Sequence, residues 1–339
     1  MDAAPQGCAV VDRDAVARRD VSRDTFGRTI DYLRIAITDR CNYRCVYCMP
    51  AEGVRFKPHE QILTFEQIER FVRVAAGYGI RHLRLTGGEP LVRRGVAELA
   101  GMLSAIPGIE DISITTNGAL LPRYARDLVA NGVSKVNISL DTLDAEKYRR
   151  LTRGGELQKA LDGIRAAEAA GFAPIKLNAV LLGGVNDDEI PALCALTMDR
   201  PIEMRFIELM PIGDALYFGK EACIPVDTVL EKMPQLTPLP RGRSSVARRY
   251  TLPGAKGSIG LISPVSCSFC SECNRIRLTA DGCMKPCLHS AEEFPLRGKH
   301  GDALRRAICD AVNAKPEAHI DFTGTQRSES ARNMNQIGG

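Results

Sequence analysis

The chain has 339 residues, 45% of them hydrophobic, with 12 cysteines and a formal net charge of +4. That length supports one large α/β domain with an appendage, or two ordinary domains, around a substantial core. The modest charge argues against bulk nucleic-acid binding while leaving room for a locally basic pocket, and no apolar run is long enough to span a bilayer, so neither nucleic acid nor membrane is expected as a partner.

Residues 1–23 are rich in Asp, Arg and Ala, lack the basic and apolar stretches of a signal peptide, and read as a flexible, solvated extension. From residue 24 to residue 211, short β-rich runs alternate with amphipathic helical stretches. The strand candidates are 31–37, 81–86, 111–116, 135–140, 175–182 and 203–209. Alternation of this kind predicts a parallel sheet with right-handed crossovers. Six units are too few for an eight-stranded barrel, so the count predicts an incomplete (βα)6 TIM-like barrel. An open doubly wound sheet has the same pattern. Beyond Pro211 the alternation stops. Residues 212–325 contain a proline-rich loop, a hairpin of 249–252 with 258–262, a cysteine cluster at 267–287 and a helix near 302–313. The polar tail 326–339 ends in Gly-Gly.

The chemistry-bearing motifs fall just after predicted strands, where ligands bind in parallel α/β folds. After the first strand, Cys41, Cys45 and Cys48 form a C-x3-C-x2-C loop that also carries Tyr47. Three thiolates can grip three corners of a cubane iron–sulfur cluster, and the missing fourth ligand leaves one iron open to a small molecule. Tyr47 fits a site for an adenine-bearing ligand. The spacing is that of the radical S-adenosylmethionine (SAM) enzymes; zinc sites usually pair their cysteines. Gly87-Gly88-Glu89-Pro90 follows the second strand. Its glycines allow close backbone approach, and Glu89 is a candidate acceptor for a ligand amino group.

Cys267, Cys270, Cys273, Cys283 and Cys287 make up the second cluster, with Arg275 and Arg277 beside it. Four of these thiols could close a zinc site, whereas a metal beside an anionic substrate would use the arginine forks. Arg34, Arg84 and Lys176 lie in or beside predicted strands. Facing a lumen, such cations require an anionic ligand or an acidic neighbour; facing outward, they are edge charges. The five histidines show no metal-ligand spacing and receive no role. Cys8, Cys194, Cys223 and Cys309 stand alone. Most cysteines fall in the two clusters, which does not resemble a disulfide framework and predicts a reducing, cytoplasmic compartment.

Five segments together resemble the GTP 3′,8-cyclase family of radical SAM enzymes, which opens molybdenum-cofactor biosynthesis. They are Cys41 to Cys48, Arg84-Leu85-Thr86-Gly87-Gly88-Glu89-Pro90, Arg205 to Met210, Cys273-Asn274-Arg275-Ile276-Arg277 and the terminal Ile337-Gly338-Gly339. The resemblance covers residues 24–339. It implies two [4Fe-4S] clusters and SAM as cofactors, with Cys41, Cys45 and Cys48 on the first cluster and Cys270, Cys273 and Cys287 on the second. Cys267 and Cys283 depart from the family pattern and stand as competing ligands. Tyr47, Gly88, Ser139 and Met210 match SAM contacts, while Arg34, Arg84, Thr115, Lys176, Arg275 and Arg277 match GTP contacts. Gly338 and Gly339 take a catalytic part by completing the GTP site. The reaction implied converts GTP to (8S)-3′,8-cyclo-7,8-dihydroguanosine 5′-triphosphate through a 5′-deoxyadenosyl radical. The partners implied are GTP, an electron donor and the cyclic pyranopterin synthase that takes up the product; a homodimer is left open. A radical SAM enzyme acting on a peptide and a non-catalytic metal-binding module are the rival readings.

Overall fold

The computed structural model describes residues 23–213, 215, 218–240, 246–266, 269–320, 322 and 327–338. Six strands alternate with helices as the pattern predicts. The strands are β1 (Tyr32–Ala36), β2 (His82–Thr86), β3 (Asp111–Thr116), β4 (Val133–Ser139), β5 (Ile175–Leu181) and β6 (Ile202–Glu208). Between them lie α1 (Phe65–Gly77), α2 (Val96–Ser104), α3 (Leu121–Ala130), α4 (Ala145–Thr152), α5 (Leu157–Ala170) and α6 (Ile190–Ala195). Local sequence explains the helix ends. Thr64 and Gln67 form a reciprocal capping box at the start of α1, and the Asp144 side chain accepts from Lys147 N at α4.

The six strands pair in parallel in sequence order, and the C-terminal half joins the same sheet at both edges. After α7 (Thr228–Lys232), β7 (Thr237–Pro238) and β8 (Arg248–Thr251) lead to β9 (Ser258–Ile262), which lies parallel beside β6. At the other edge β10 (Arg275–Leu278) lies parallel beside β1, followed by β11 (Cys283–Lys285) and β12 (Phe294–Pro295). The hairpin expected at 249–262 therefore exists as β8–β9, as an edge of the common sheet. Two helices complete the fold, α8 (Gly301–Asn313) and α9 (Met334–Ile337). The sheet runs from β12 to β7 without closing on itself, as an incomplete barrel requires.

Strand periodicity decides which side chains meet. One set (Leu33, Ile35, Leu83, Leu85, Ile112, Ile114, Val136, Ile138) is at most 1% exposed and packs with Ile68, Phe71, Val72 and Leu99 of the helices. Each such aliphatic side chain contributes roughly 1.5–3 kcal/mol on burial. The alternate set is polar: Arg34 stands opposite both Arg84 and Arg277, and Arg84 opposite Ser113. Next along, Thr115 stands opposite Asn137, Asn137 opposite Lys176, and Asn178 opposite Arg205.

Candidate active site

That polar face bounds a cavity of about 180 Å³ which brings together Arg34, Arg84, Thr115, Arg275, Arg277 and Met210 with Cys270, Cys273 and Cys287. Lys176 is not in its lining. It stands two residues before Asn178, which is. Arg34, Arg84 and Lys176 thus face inward, and the outward reading of these cations falls. Burial lowers the Arg34 pKa well below the usual arginine value, and Arg277, Arg84 and Arg275 add to the effect. Burial, with Arg275 next, lowers Arg277 to about 10. Burial and the charge of Arg205 take Lys176 down to about 8. Neighbouring cations press on one another here, so the site favours an added polyanion. Arg84 donates to Ser113 Oγ at 3.2 Å and lies over the Tyr32 ring; Arg275 lies over Phe269. Thr115 Oγ1, Asn178 Oδ1, and Arg275 Nε and Nη2 are buried without a hydrogen-bond partner among the described residues. Native interiors rarely leave such groups unpaired, and here they fit a ligand dense in acceptors and donors.

The first cysteine loop rests on the end of β2. Gly88 N donates to Thr38 O and Glu89 N to Arg40 O, both at 2.8 Å. A Cβ on Gly87 would stand 2.3 Å from Thr38 O, and one on Gly88 2.3 Å from Arg40 O. The glycines are thus required by the cysteine loop's own backbone, whatever Gly88 does for a ligand. Glu89 is 1% exposed, and its carboxylate accepts from Thr116 Oγ1, Asn117 N and Leu91 N at 2.7–3.0 Å. This corrects the expectation that it meets a ligand amino group: it braces β2 to β3. Burial raises its pKa to about 7 against those donors.

On the other side, Arg44 N and Val46 N donate to Thr152 O and Leu151 O at the end of α4. Tyr47 donates to Asp141 Oδ2 at 2.6 Å, beside the end of β4. Ser139 ends β4 opposite Asn178. Cys41, Cys45 and Cys48 are free thiols and partly buried. Burial raises Cys41 to about 11 and Cys45 well above the ordinary thiol value. A bound metal draws such thiols to thiolate, as ligation requires.

The second site is built from several elements. Cys270 and Cys273 flank a short turn before β10, and Cys287 follows β11. Arg28 fixes the turn by donating to Cys270 O, Glu317 O and Pro316 O at 2.7–2.8 Å. Burial would raise the Cys273 thiol, but Arg275 and Lys315 hold it down to about 7. Cys270 is likewise lowered against burial by a hydrogen bond with His319. Cys283 is absent from the cavity lining; burial and the carboxylates of Asp281 and Glu293 raise its pKa. Cys267 lies outside the described residues. No three His, Cys, Asp or Glu side chains among the described residues are grouped as ligands of one ion.

Several contributors escaped the sequence reading. Lys315 is 3% exposed and donates to Arg275 O and Pro286 O. His289 and His319 line the cavity with ring centroids 5.0 Å apart, which corrects the assignment of no role to histidine. Their 30-residue separation gave no spacing signal. Cys194 and Cys223 are free, whereas Cys309 is disulfide-bonded, a departure from the expected lone thiol.

The C-terminal tail enters the same lumen. Arg277 Nη1 donates to Gly338 O, and to Ile337 O at 3.3 Å. Gly338 has φ +79°, and a Cβ there would lie 2.4 Å from Thr86 Cγ2, so only glycine fits. Gly339 lies outside the described residues.

The chain is similar to known proteins. The radical SAM superfamily matches residues 35–197 and the molybdenum cofactor synthesis C family residues 202–320. A GTP 3′,8-cyclase of Alkaliphilus oremlandii is 49% identical over 320 residues, 94% of this chain and all of the relative. That of Pelotomaculum thermopropionicum is 47% identical over 327 residues, covering 94% of this chain and 100% of the relative. That of Listeria monocytogenes serovar 1/2a is 46% identical over 329 residues, covering 94% and 99%. Among solved structures, Streptococcus suis SuiB shares the fold, with a TM-score of 0.58 at 14% identity over 86% of this chain and 68% of that one. The chain belongs to the GTP 3′,8-cyclase family of radical SAM enzymes.

Proposed function

We infer that the chain works as a radical SAM GTP 3′,8-cyclase in molybdenum-cofactor biosynthesis. The observation that carries this reading is one lumen holding Arg34, Arg84, Arg275 and Arg277 beside Cys270, Cys273 and Cys287. The cysteine loop Cys41, Cys45, Cys48 stands at the end of the adjoining strand. Cys41, Cys45 and Cys48 would hold the SAM-carrying cluster, which when bound and reduced would supply a 5′-deoxyadenosyl radical for hydrogen abstraction from the GTP ribose.

The protein's own share is binding, orientation and exclusion of water. The four arginines, with Lys176, neutralise the triphosphate, and Thr115 Oγ1 offers a buried partner to the nucleotide. Cys270, Cys273 and Cys287 hold the second cluster against the base. Tyr47, Gly88, Ser139 and Met210 surround SAM, and Gly338 with Gly339 closes the site. The electron donor would meet the outer rim of the first loop, where Arg40 is exposed and Arg149 and Arg150 project from the turn of α4 to which the loop is bonded. A reducing, cytoplasmic setting, hand-over of product to a cyclic pyranopterin synthase and assembly as a homodimer belong to the same proposal. Among the described residues no helix is long and apolar enough to cross a membrane.

Anaerobic incubation of cluster-loaded protein with GTP, SAM and dithionite tests the reading. The expected products are 5′-deoxyadenosine, methionine and the cyclised nucleotide triphosphate. SAM cleavage without a GTP-derived product would refute it.

A further inference from the structure

The tail that delivers Gly338 to Arg277 is gripped further back by Arg332. Arg332 is 16% exposed and grips two carboxylates from different turns. Its Nε and Nη2 donate to the two oxygens of Glu293 at 2.6 and 2.5 Å, and its Nη1 to both oxygens of Asp281 at 3.0 and 3.1 Å. A planar fork on a carboxylate fixes direction as well as distance. Both acids are themselves anchored. Glu293 meets the fully buried Lys285 at 3.2 Å, and Asp281 accepts from Thr279 Oγ1 at 2.6 Å.

The same latch reaches the first cysteine loop. Lys57, nine residues beyond Cys48, pairs with Asp281 at 3.3 Å, and its backbone N–H donates to Asp39 Oδ2, two residues before Cys41, at 2.6 Å. Asp39 O in turn accepts from Asn335 Nδ2 at 3.0 Å. The path from Arg332 to Gly338 has little slack. Asn333 and Gln336 form a capping box around the single turn of α9, Ile337 is 0% exposed, and Gly338 N closes on Met334 O at 3.1 Å. Chain ends ordinarily fray unless tied down. Here residues 327, 329 and 331 are exposed, whereas residues 335, 337 and 338 are buried.

We propose that Arg332 is a positioning residue: its grip on Asp281 and Glu293 fixes the tail across the barrel mouth and so sets the Gly338 carbonyl on Arg277, in register with the first cysteine loop. This rests on the reading that the tail completes the GTP site. It adds which residue controls the tail, and that the control is shared with the SAM-side loop through Lys57 and Asp39. Arg332 touches neither substrate nor cluster ligands and acts through Gly338.

The test compares Arg332→Gln and Arg332→Lys with wild-type holoenzyme. In Arg332→Gln, iron content, SAM binding and thermal midpoint are expected to stay near wild type. Amide hydrogen exchange over residues 333–338 is expected to rise about tenfold or more, as for loss of a charge-assisted hydrogen-bond pair. Cyclised product per 5′-deoxyadenosine is expected to fall by a similar factor. Arg332→Lys, which keeps the charge but not the fork, should recover part of both. Two outcomes would overturn the proposal: unchanged tail exchange, or faster exchange with an unchanged product ratio. Loss of half the iron in Arg332→Gln would instead make Arg332 a staple of the second site and also overturn it. If wild type itself forms no cyclised product, the functional reading fails, while the exchange measurement still decides whether the latch exists.

Discussion

The two cysteine sites differ in what prepares their sulfur atoms. Cys41, Cys45 and Cys48 come from one eight-residue loop, and burial pushes the Cys41 and Cys45 thiols toward the protonated form. Cys270, Cys273 and Cys287 are gathered from a turn and a strand end, and Arg275, Lys315 and His319 draw Cys273 and Cys270 toward thiolate. A compact loop can hold a cluster with little electrostatic help because its geometry is local. A site assembled across elements instead surrounds its sulfurs with cations, and those cations adjoin the lumen where an anionic substrate would sit. On the proposed function, the second site combines metal binding with phosphate binding, and the first does not.

The largest expected effect separates the sites outright. Cys45→Ser should abolish 5′-deoxyadenosine formation and leave about half the iron, since each site supplies three thiolates to one cluster. Normal SAM cleavage in that variant would show that the first loop is misassigned.

Lys315→Met tests the other side. It strips the Arg275 and Pro286 carbonyls of a buried donor, at roughly 1–3 kcal/mol for each group left unpaired. Second-site iron and GTP turnover are expected to fall while SAM binding persists, read by iron analysis and SAM titration. Intact second-site iron would remove Lys315 from that site's support.

Arg277→Ala should weaken GTP binding by about 1.5–3 kcal/mol, the range for a hydrogen bond to a charged group, with SAM affinity unchanged in equilibrium titration. Equal losses for both ligands would mean that the two sites are not separable by charge. Gly338→Ala is a smaller change of the same kind. The added Cβ meets Thr86 Cγ2 at a φ that disfavours alanine, costing about 1 kcal/mol or more. Product yield should drop without loss of iron, and full yield would show that the tail tolerates displacement.

The smallest effect is a pH signature in iron-free protein. Thiolate forms as pH rises through the pKa, so alkylation of Cys273 should climb near pH 7, and that of Cys41 only toward pH 11. Mass-spectrometric labelling at stepped pH reads both, and coincident profiles would erase the contrast between the sites.

Sequence alone determined what depends on neighbours along the chain. The six βα units follow from hydrophobic period, and the first cysteine loop follows from spacing, because both are local. The inward-facing cations could be named but not aimed, since a period-two strand has two faces and only the partner strands decide which one meets the lumen. Tertiary structure decided the rest. Placement of β10 beside β1 sets Arg277 opposite Arg34 and brings residues more than 200 positions apart into one charged row. The buried Lys315, the adjacent His289 and His319, and the Arg332 latch carry no motif, because their partners lie on other turns and their spacing is free. Glu89 shows the converse: its motif was legible, but its role as a brace required Thr116 and Asn117 to be seen beneath it. Local spacing specified the first cysteine loop, and long-range packing specified the charges of the lumen, because Coulomb and hydrogen-bond energies depend on distance in space and not along the chain.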